Sequence, residues 1–94
     1  MAVTMTVLVP GATTETYDRL NDEAGLDPSN LPDGLVSHYA TRTKDGMRIF
    51  DVWRSREAFE QYMPRLAAAF EKVTGEAGQL EPEFGELHNV LTAR

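Results

Sequence analysis

His38, Asp51 and Trp53 are the residues whose types and spacing could do chemistry in this chain. A carboxylate beside an imidazole can fix its tautomer, and the ring can then move a proton near neutral pH. An indole offers a stacking wall for a flat ligand. A hairpin signal brings the three together. Asp45-Gly46 stands between two strand-like segments, and that pair tolerates the positive φ of a type I′ turn. With a bend at those two residues, Lys44 pairs with Met47, Arg42 with Ile49, Ala40 with Asp51 and His38 with Trp53. His38, Asp51 and Trp53 then share one face of the sheet, with His38 and Asp51 as diagonal neighbours. Tyr39, Thr41, Phe50 and Val52 take the other face. A three-residue loop would turn one strand over and dissolve the group. The competing reading is a structural His–Asp contact, with Trp53 a core residue whose N–H needs an acceptor.

Other polar side chains are candidates for the same pocket. Tyr17 and Tyr62 can each place a hydroxyl at its mouth, and half-buried tyrosines also do this without any function. His88 and Asn89 point to opposite faces of a last strand, so one of them can reach the pocket. His38, His88 and Asp51 would make a two-His-one-carboxylate metal site only if both histidines shared a face, and no metal is expected. The chain has no cysteine, which excludes disulfides, thiolate zinc sites and cysteine nucleophiles. Nucleophile-elbow, phosphate-loop and dinucleotide motifs are missing.

Ninety-four residues allow one domain, 1–94. A core this small is only modestly stable alone, and a partner subunit is a common remedy. The net charge is −6, and the nine basic residues are scattered. That argues against nucleic acid and against an anionic membrane surface as partners. No targeting signal and no apolar run of spanning length is present, so a cytoplasmic location is expected.

The elements that must position these residues are clearly punctuated. Val3, Met5, Val7 and Val9 alternate as a strand ended by Pro10-Gly11. Thr13 or Thr14 caps a helix carrying Tyr17, Leu20 and Ala24 on one face, and Gly25 closes it. A polar loop over 26–34 leads into strands over 34–42 and 48–54. Ser55 caps a second helix with Phe59, Met63, Leu66, Phe70 and Val73 on one stripe, closed by Gly75. Pro64 predicts a kink there, or two helical pieces. A last strand is expected over 84–91. The order β-α-β-β-α-β predicts an α+β, ferredoxin-like plait: a four-stranded antiparallel sheet with both helices on one face. Apolar residues at both strand parities predict a homodimer through the uncovered sheet face.

The chain resembles the dimeric α+β-barrel superfamily, and within it the antibiotic biosynthesis monooxygenase-like domains. The resemblance spans nearly the whole chain. It rests mainly on Gly34-Leu-Val-Ser-His-Tyr39 and on Asp45-Gly-Met-Arg-Ile-Phe-Asp-Val-Trp-Arg-Ser-Arg-Glu-Ala-Phe59. It implies a ferredoxin-like protomer, a sheet-to-sheet dimer and a pocket between sheet and helices. Members include cofactor-independent oxygenases of polycyclic phenols, haem-degrading enzymes and domains without assigned activity. Trp53 matches the family's pocket tryptophan. The oxygenases' Asn four residues before it is Ile49 here, and their Tyr six residues after it is Phe59. The His of the haem enzymes is Met63.

What remains is a pocket bounded by Tyr17, Trp53, Phe59, Tyr62 and His88, with a different polar pair, His38 and Asp51. The leading expectation is a cofactor-independent, monooxygenase-like enzyme acting on a flat hydrophobic or phenolic small molecule, with His38 as general base. An isomerase or cyclase fits the same residues. A non-catalytic small-molecule-binding or stress-response module is the alternative, and a structural dimer that fills its own pocket is a third.

Overall fold

A computed structural model describes residues 1–75 and 80–93. The elements run β1 (Val3–Pro10), α1 (Thr14–Ala24), β2 (Leu35–Thr43), β3 (Gly46–Trp53), α2 (Arg56–Thr74) and β4 (Glu83–Glu86). Every pairing is antiparallel, and the strand order is β2-β3-β1-β4. This is the expected ferredoxin-like plait. Met5, Val7 and Val9 of β1 and Met47, Ile49 and Trp53 of β3 are buried on the face that receives the helices, where Phe59 joins them. The alternation is that of a sheet with one covered side.

Both helices begin and end as their residues dictate. The Thr13 hydroxyl accepts from the Thr16 N–H and the Ser55 hydroxyl from the Ala58 N–H, which satisfies donors the first turn leaves open. Glu15 and Glu57 suit the positive helix ends. α2 runs through Pro64 as one helix rather than two pieces. Proline removes the bond to the carbonyl four residues back, here that of Glu60. Both residues are exposed, so water can take the place of the missing donor.

The hairpin bends one residue earlier than expected. Thr43 pairs with Gly46, so Lys44-Asp45 is the two-residue bend, and neither residue has a positive φ. The Thr43 hydroxyl accepts from the Asp45 N–H at 3.2 Å and donates to the Gly46 carbonyl at 3.0 Å. The glycine serves a different purpose from a type I′ turn. Its φ is +143°, and a Cβ there would run into the carbonyl oxygen of Val9 on the neighbouring strand. The register therefore shifts by two: His38 faces Asp51, Ala40 faces Ile49, and Trp53 faces Leu35 across a bulge. A shift of two keeps side-chain parity, so the predicted grouping of faces survives.

β4 is also shorter than the expected strand over 84–91. After Glu86 the Leu87 N–H donates to the Ala2 carbonyl at 3.0 Å, and residues 88–93 are outside any strand. The ladder with β1 ends at the Val3–Glu86 pair. Among the described residues no helix is long and apolar enough to cross a membrane.

Candidate functional site

β2 and β3 set His38 directly opposite Asp51, and the Nδ1–Oδ1 separation is 2.6 Å. The other carboxylate oxygen, Oδ2, accepts from the Trp53 indole N–H at 3.1 Å. Trp53 can reach it because the two residues are two apart on one strand and so share a face. A carboxylate only accepts hydrogen bonds. The proton between it and His38 therefore belongs to Nδ1, and Nε2 of the neutral ring is left as an acceptor. The Tyr17 hydroxyl, brought in by α1, lies 2.6 Å from that nitrogen and donates to it. The result is an unbroken chain from Trp53 through Asp51 and His38 to Tyr17. The Asp51 side chain is 6% exposed and that of His38 20%.

This chain borders a partly enclosed cavity of about 70 Å³ between the sheet and the helices. Its walls are mostly apolar, with Val7, Leu20, Ile49, Phe59 and Phe70 among them. Tyr17, Asn21, His38, Asp51 and Tyr62 supply the polar groups. No Lys or Arg lines it among the described residues. Burial pushes the Tyr17 phenol above its ordinary value of 10.0; the Asn21 side chain opposes this, and Asp51 and Asp18 add to it. Burial likewise raises Tyr62, with Arg65 opposing and Asp51 and Tyr17 adding to it. Desolvation disfavours the phenolate in both cases.

The structure brings His38, Asp51, Tyr17, Phe59 and Tyr62 to this cavity, and it leaves out two expected residues. Trp53 is 1% exposed and does not line the void. It sits behind the wall, edge-on to Phe59 with ring centres 5.6 Å apart and tilted against Tyr62 at 5.7 Å. The indole is a support for Asp51 and the cavity wall rather than a stacking surface. His88 lies past the end of β4, exposed and away from the cavity. The two histidines are accordingly apart, and no group of three metal-ligating side chains occurs among the described residues.

Two features escaped the sequence reading. One is the Tyr17–His38 bond; the other is Asn21. Tyr17 and Asn21 are one helical turn apart, beside the apolar stripe of α1. That polar pair was the available signal.

Compared with protein-family models and with curated proteins, the sequence matches none. Its fold has clear counterparts among solved structures. A protein of Chloroflexus aurantiacus J-10-fl described as a candidate antibiotic biosynthesis monooxygenase superposes with a TM-score of 0.68 at 15% identity, over 98% of each chain. The monooxygenase from the gene ActVA-Orf6 of Streptomyces coelicolor, solved with the ligand nanaomycin D, gives 0.61 at 14% identity, over 99% of this chain and 92% of that one. SnoaB, a cofactor-independent oxygenase from Streptomyces nogalater, gives 0.55 at 14% identity, over 98% and 97%. The chain therefore has the α+β protomer fold of the antibiotic biosynthesis monooxygenase-like proteins.

Proposed function

We propose that the protein is a monooxygenase-like enzyme, independent of a cofactor, acting on a small, flat, hydrophobic molecule that carries a hydroxyl group. The observation that carries this is the 2.6 Å His38–Asp51 contact at the wall of an apolar cavity. With its tautomer fixed, the imidazole can serve as the base on which a bound phenol's proton ends up. The phenolate is the electron-rich form that reacts with dioxygen. One oxygen atom stays on a ring carbon, the other leaves as water, and the phenol becomes a quinone. The proteins of similar fold include a cofactor-independent oxygenase and a monooxygenase with a bound small molecule, which supports this class of reaction.

The lining also constrains the ligand. With no Lys or Arg among the described lining residues, nothing awaits a carboxylate or phosphate, so the ligand is uncharged when it enters. A cavity that takes up benzene measures about 150 Å³, larger than the ≈ 70 Å³ found here. A ring-bearing ligand must make the lining yield. Leu26 and Leu80 come from outside the strands and helices and are the lining residues freest to move. The same small volume favours a second reading, a binding module without turnover. Isomerisation or cyclisation would use the identical proton transfer.

We place a second copy of the chain on the uncovered sheet face, where Tyr39 is 57% and Phe50 38% exposed. Hydroxylated one- and two-ring aromatics, screened by thermal shift and then by oxygen uptake, test the functional reading. A ligand specific for the folded state must raise the melting temperature. Binding with oxygen uptake that His38→Gln abolishes supports the enzyme. Binding without uptake leaves the module, and no binding by any member of the set removes both.

A further inference from the structure

His38 does not itself open onto the cavity through a free nitrogen. Nδ1 is committed to Asp51, and Nε2 holds the Tyr17 hydroxyl. We propose that Tyr17, rather than His38, is the acid–base group that meets the ligand, with His38 relaying its proton and Asp51 and Trp53 holding the ring. This rests on the cavity being the ligand site.

The geometry is that of an activated hydroxyl: a proton-bearing group within hydrogen-bond reach of a base, and the base oriented by a third group. Tyr17 meets His38 at 2.6 Å, His38 meets Asp51 at 2.6 Å, and Asp51 is itself fixed by Trp53 at 3.1 Å. Tyr17 is also held in place. Its ring lies within 12° of parallel to the imidazole, with centres 5.9 Å apart. Leu20, one turn along α1, is buried and anchors that face of the helix. Swinging Tyr17 aside to expose Nε2 would sacrifice the bond to that nitrogen and the ring contact with it. A ligand that hydrogen-bonds the Tyr17 oxygen sacrifices neither the stacking nor the bond to His38.

The step is a double proton shift. The ligand's O–H proton passes to the Tyr17 oxygen as the Tyr17 proton passes to Nε2 of His38. The ligand is left as a phenolate, Tyr17 remains a neutral phenol, and an imidazolium stands beside the Asp51 carboxylate. No electrons are exchanged. The described lining contains no other cation, so this imidazolium is the charge that balances the phenolate.

Two experiments decide it. In the first, the folded protein is treated with N-acetylimidazole, and acetylation of each tyrosine is followed by peptide mass spectrometry. Tyr62 lines the same cavity without a histidine partner and serves as the internal reference. Tyr17 should react faster than Tyr62 by about 10- to 100-fold, and His38→Gln should remove that advantage. An equal rate for the two, or a Tyr17 rate indifferent to His38→Gln, overturns the relay. The second uses 2-naphthol, whose naphtholate has its own emission. Wild type should bind it and raise that emission, whereas Tyr17→Phe should bind it without the rise. Equal or stronger naphtholate emission from Tyr17→Phe would mean that His38 meets the ligand directly and Tyr17 is only a cap. If 2-naphthol does not bind the wild type, the cavity reading is what fails, and the acetylation rates still decide the relay.

Discussion

The Trp53 indole N–H and the His38 imidazole divide one carboxylate between them, Oδ2 of Asp51 going to the indole and Oδ1 to the imidazole. Trp53 thus sets the angle of Asp51, and Asp51 sets that of His38. In Trp53→Phe the ring still packs, but Oδ2 is left buried without its donor. Such an orphaned group costs about 1–3 kcal/mol. Trp53 does not line the cavity, so ligand affinity should be nearly unchanged while turnover falls. Parallel measurement of dissociation constant, rate and melting temperature checks this. A large loss of affinity with an unchanged rate would return the indole to the ligand's side of the wall.

Asp51→Asn should be almost silent for stability and severe for function. An amide offers one acceptor and one donor in place of two acceptors. The Trp53 N–H claims the carbonyl oxygen, which turns the NH₂ toward Nδ1 of His38. The imidazole must then carry its proton on Nε2, and the Tyr17 hydroxyl must change from donor to acceptor. Nitrogen-15 chemical shifts of His38 report the tautomer directly. The expected result is protonated Nδ1 in the wild type, protonated Nε2 in the variant, and loss of proton transfer to a bound phenol. Retention of the Nδ1 proton in Asp51→Asn would contradict the assigned hydrogen-bond directions.

The sequence carried most of this arrangement because strands are read by parity. Alternation puts Asp51 and Trp53 on one face of their strand, a two-residue bend adds His38, and that grouping tolerates the two-residue shift found in the register. The exact bend was not legible. It depends on the Thr43 hydroxyl and on the approach of Val9 to Gly46 from a third strand, a contact that no local pattern encodes. The end of β4 was hidden for a similar reason: it lies where the ladder with β1 ends, at the Val3–Glu86 pair. Depth was the other missing quantity. Periodicity assigns Trp53 to the helix-covered face, but only the packing of Phe59 and Tyr62 in front of it shows that it is behind the cavity wall. The Tyr17–His38 bond depends on the position of α1 over the edge strand, which spacing within α1 does not contain.

The two half-buried phenols should make the fold sensitive to alkali. Burial raises both Tyr17 and Tyr62 above 10.0, so the unfolded chain loses those protons first. The folded state then binds more protons than the unfolded one, and stability falls as pH rises. The stabilisation is fully present below pH 10 and is lost as pH climbs from there through the folded-state values. Denaturant titrations between pH 8 and about 12, with phenolate absorbance followed in parallel, test this. Tyr62→Phe should flatten the alkaline fall by removing one of the two groups. An unchanged slope would mean that Tyr62 ionises freely in the folded protein.

The uncovered sheet face yields the last prediction. Tyr39 and Phe50 lie opposite each other on β2 and β3 with ring centres 6.1 Å apart, both exposed. Neither helix reaches them, and an isolated protomer would keep that aromatic pair in water. In a sheet-to-sheet dimer each pair is desolvated by its partner, as central aromatic anchors of interfaces are. Phe50→Glu would then force a carboxylate into that aromatic seam, and dissociation should become about 100-fold easier, or some 3 kcal/mol. The cavity lies on the opposite face, so the variant should keep its helical content and its response to aromatic ligands. Sedimentation velocity across a concentration series measures the shift from dimer to monomer. A wild-type chain that sediments as a monomer, or a Phe50→Glu variant that dimerises as tightly as the wild type, would place the interface elsewhere.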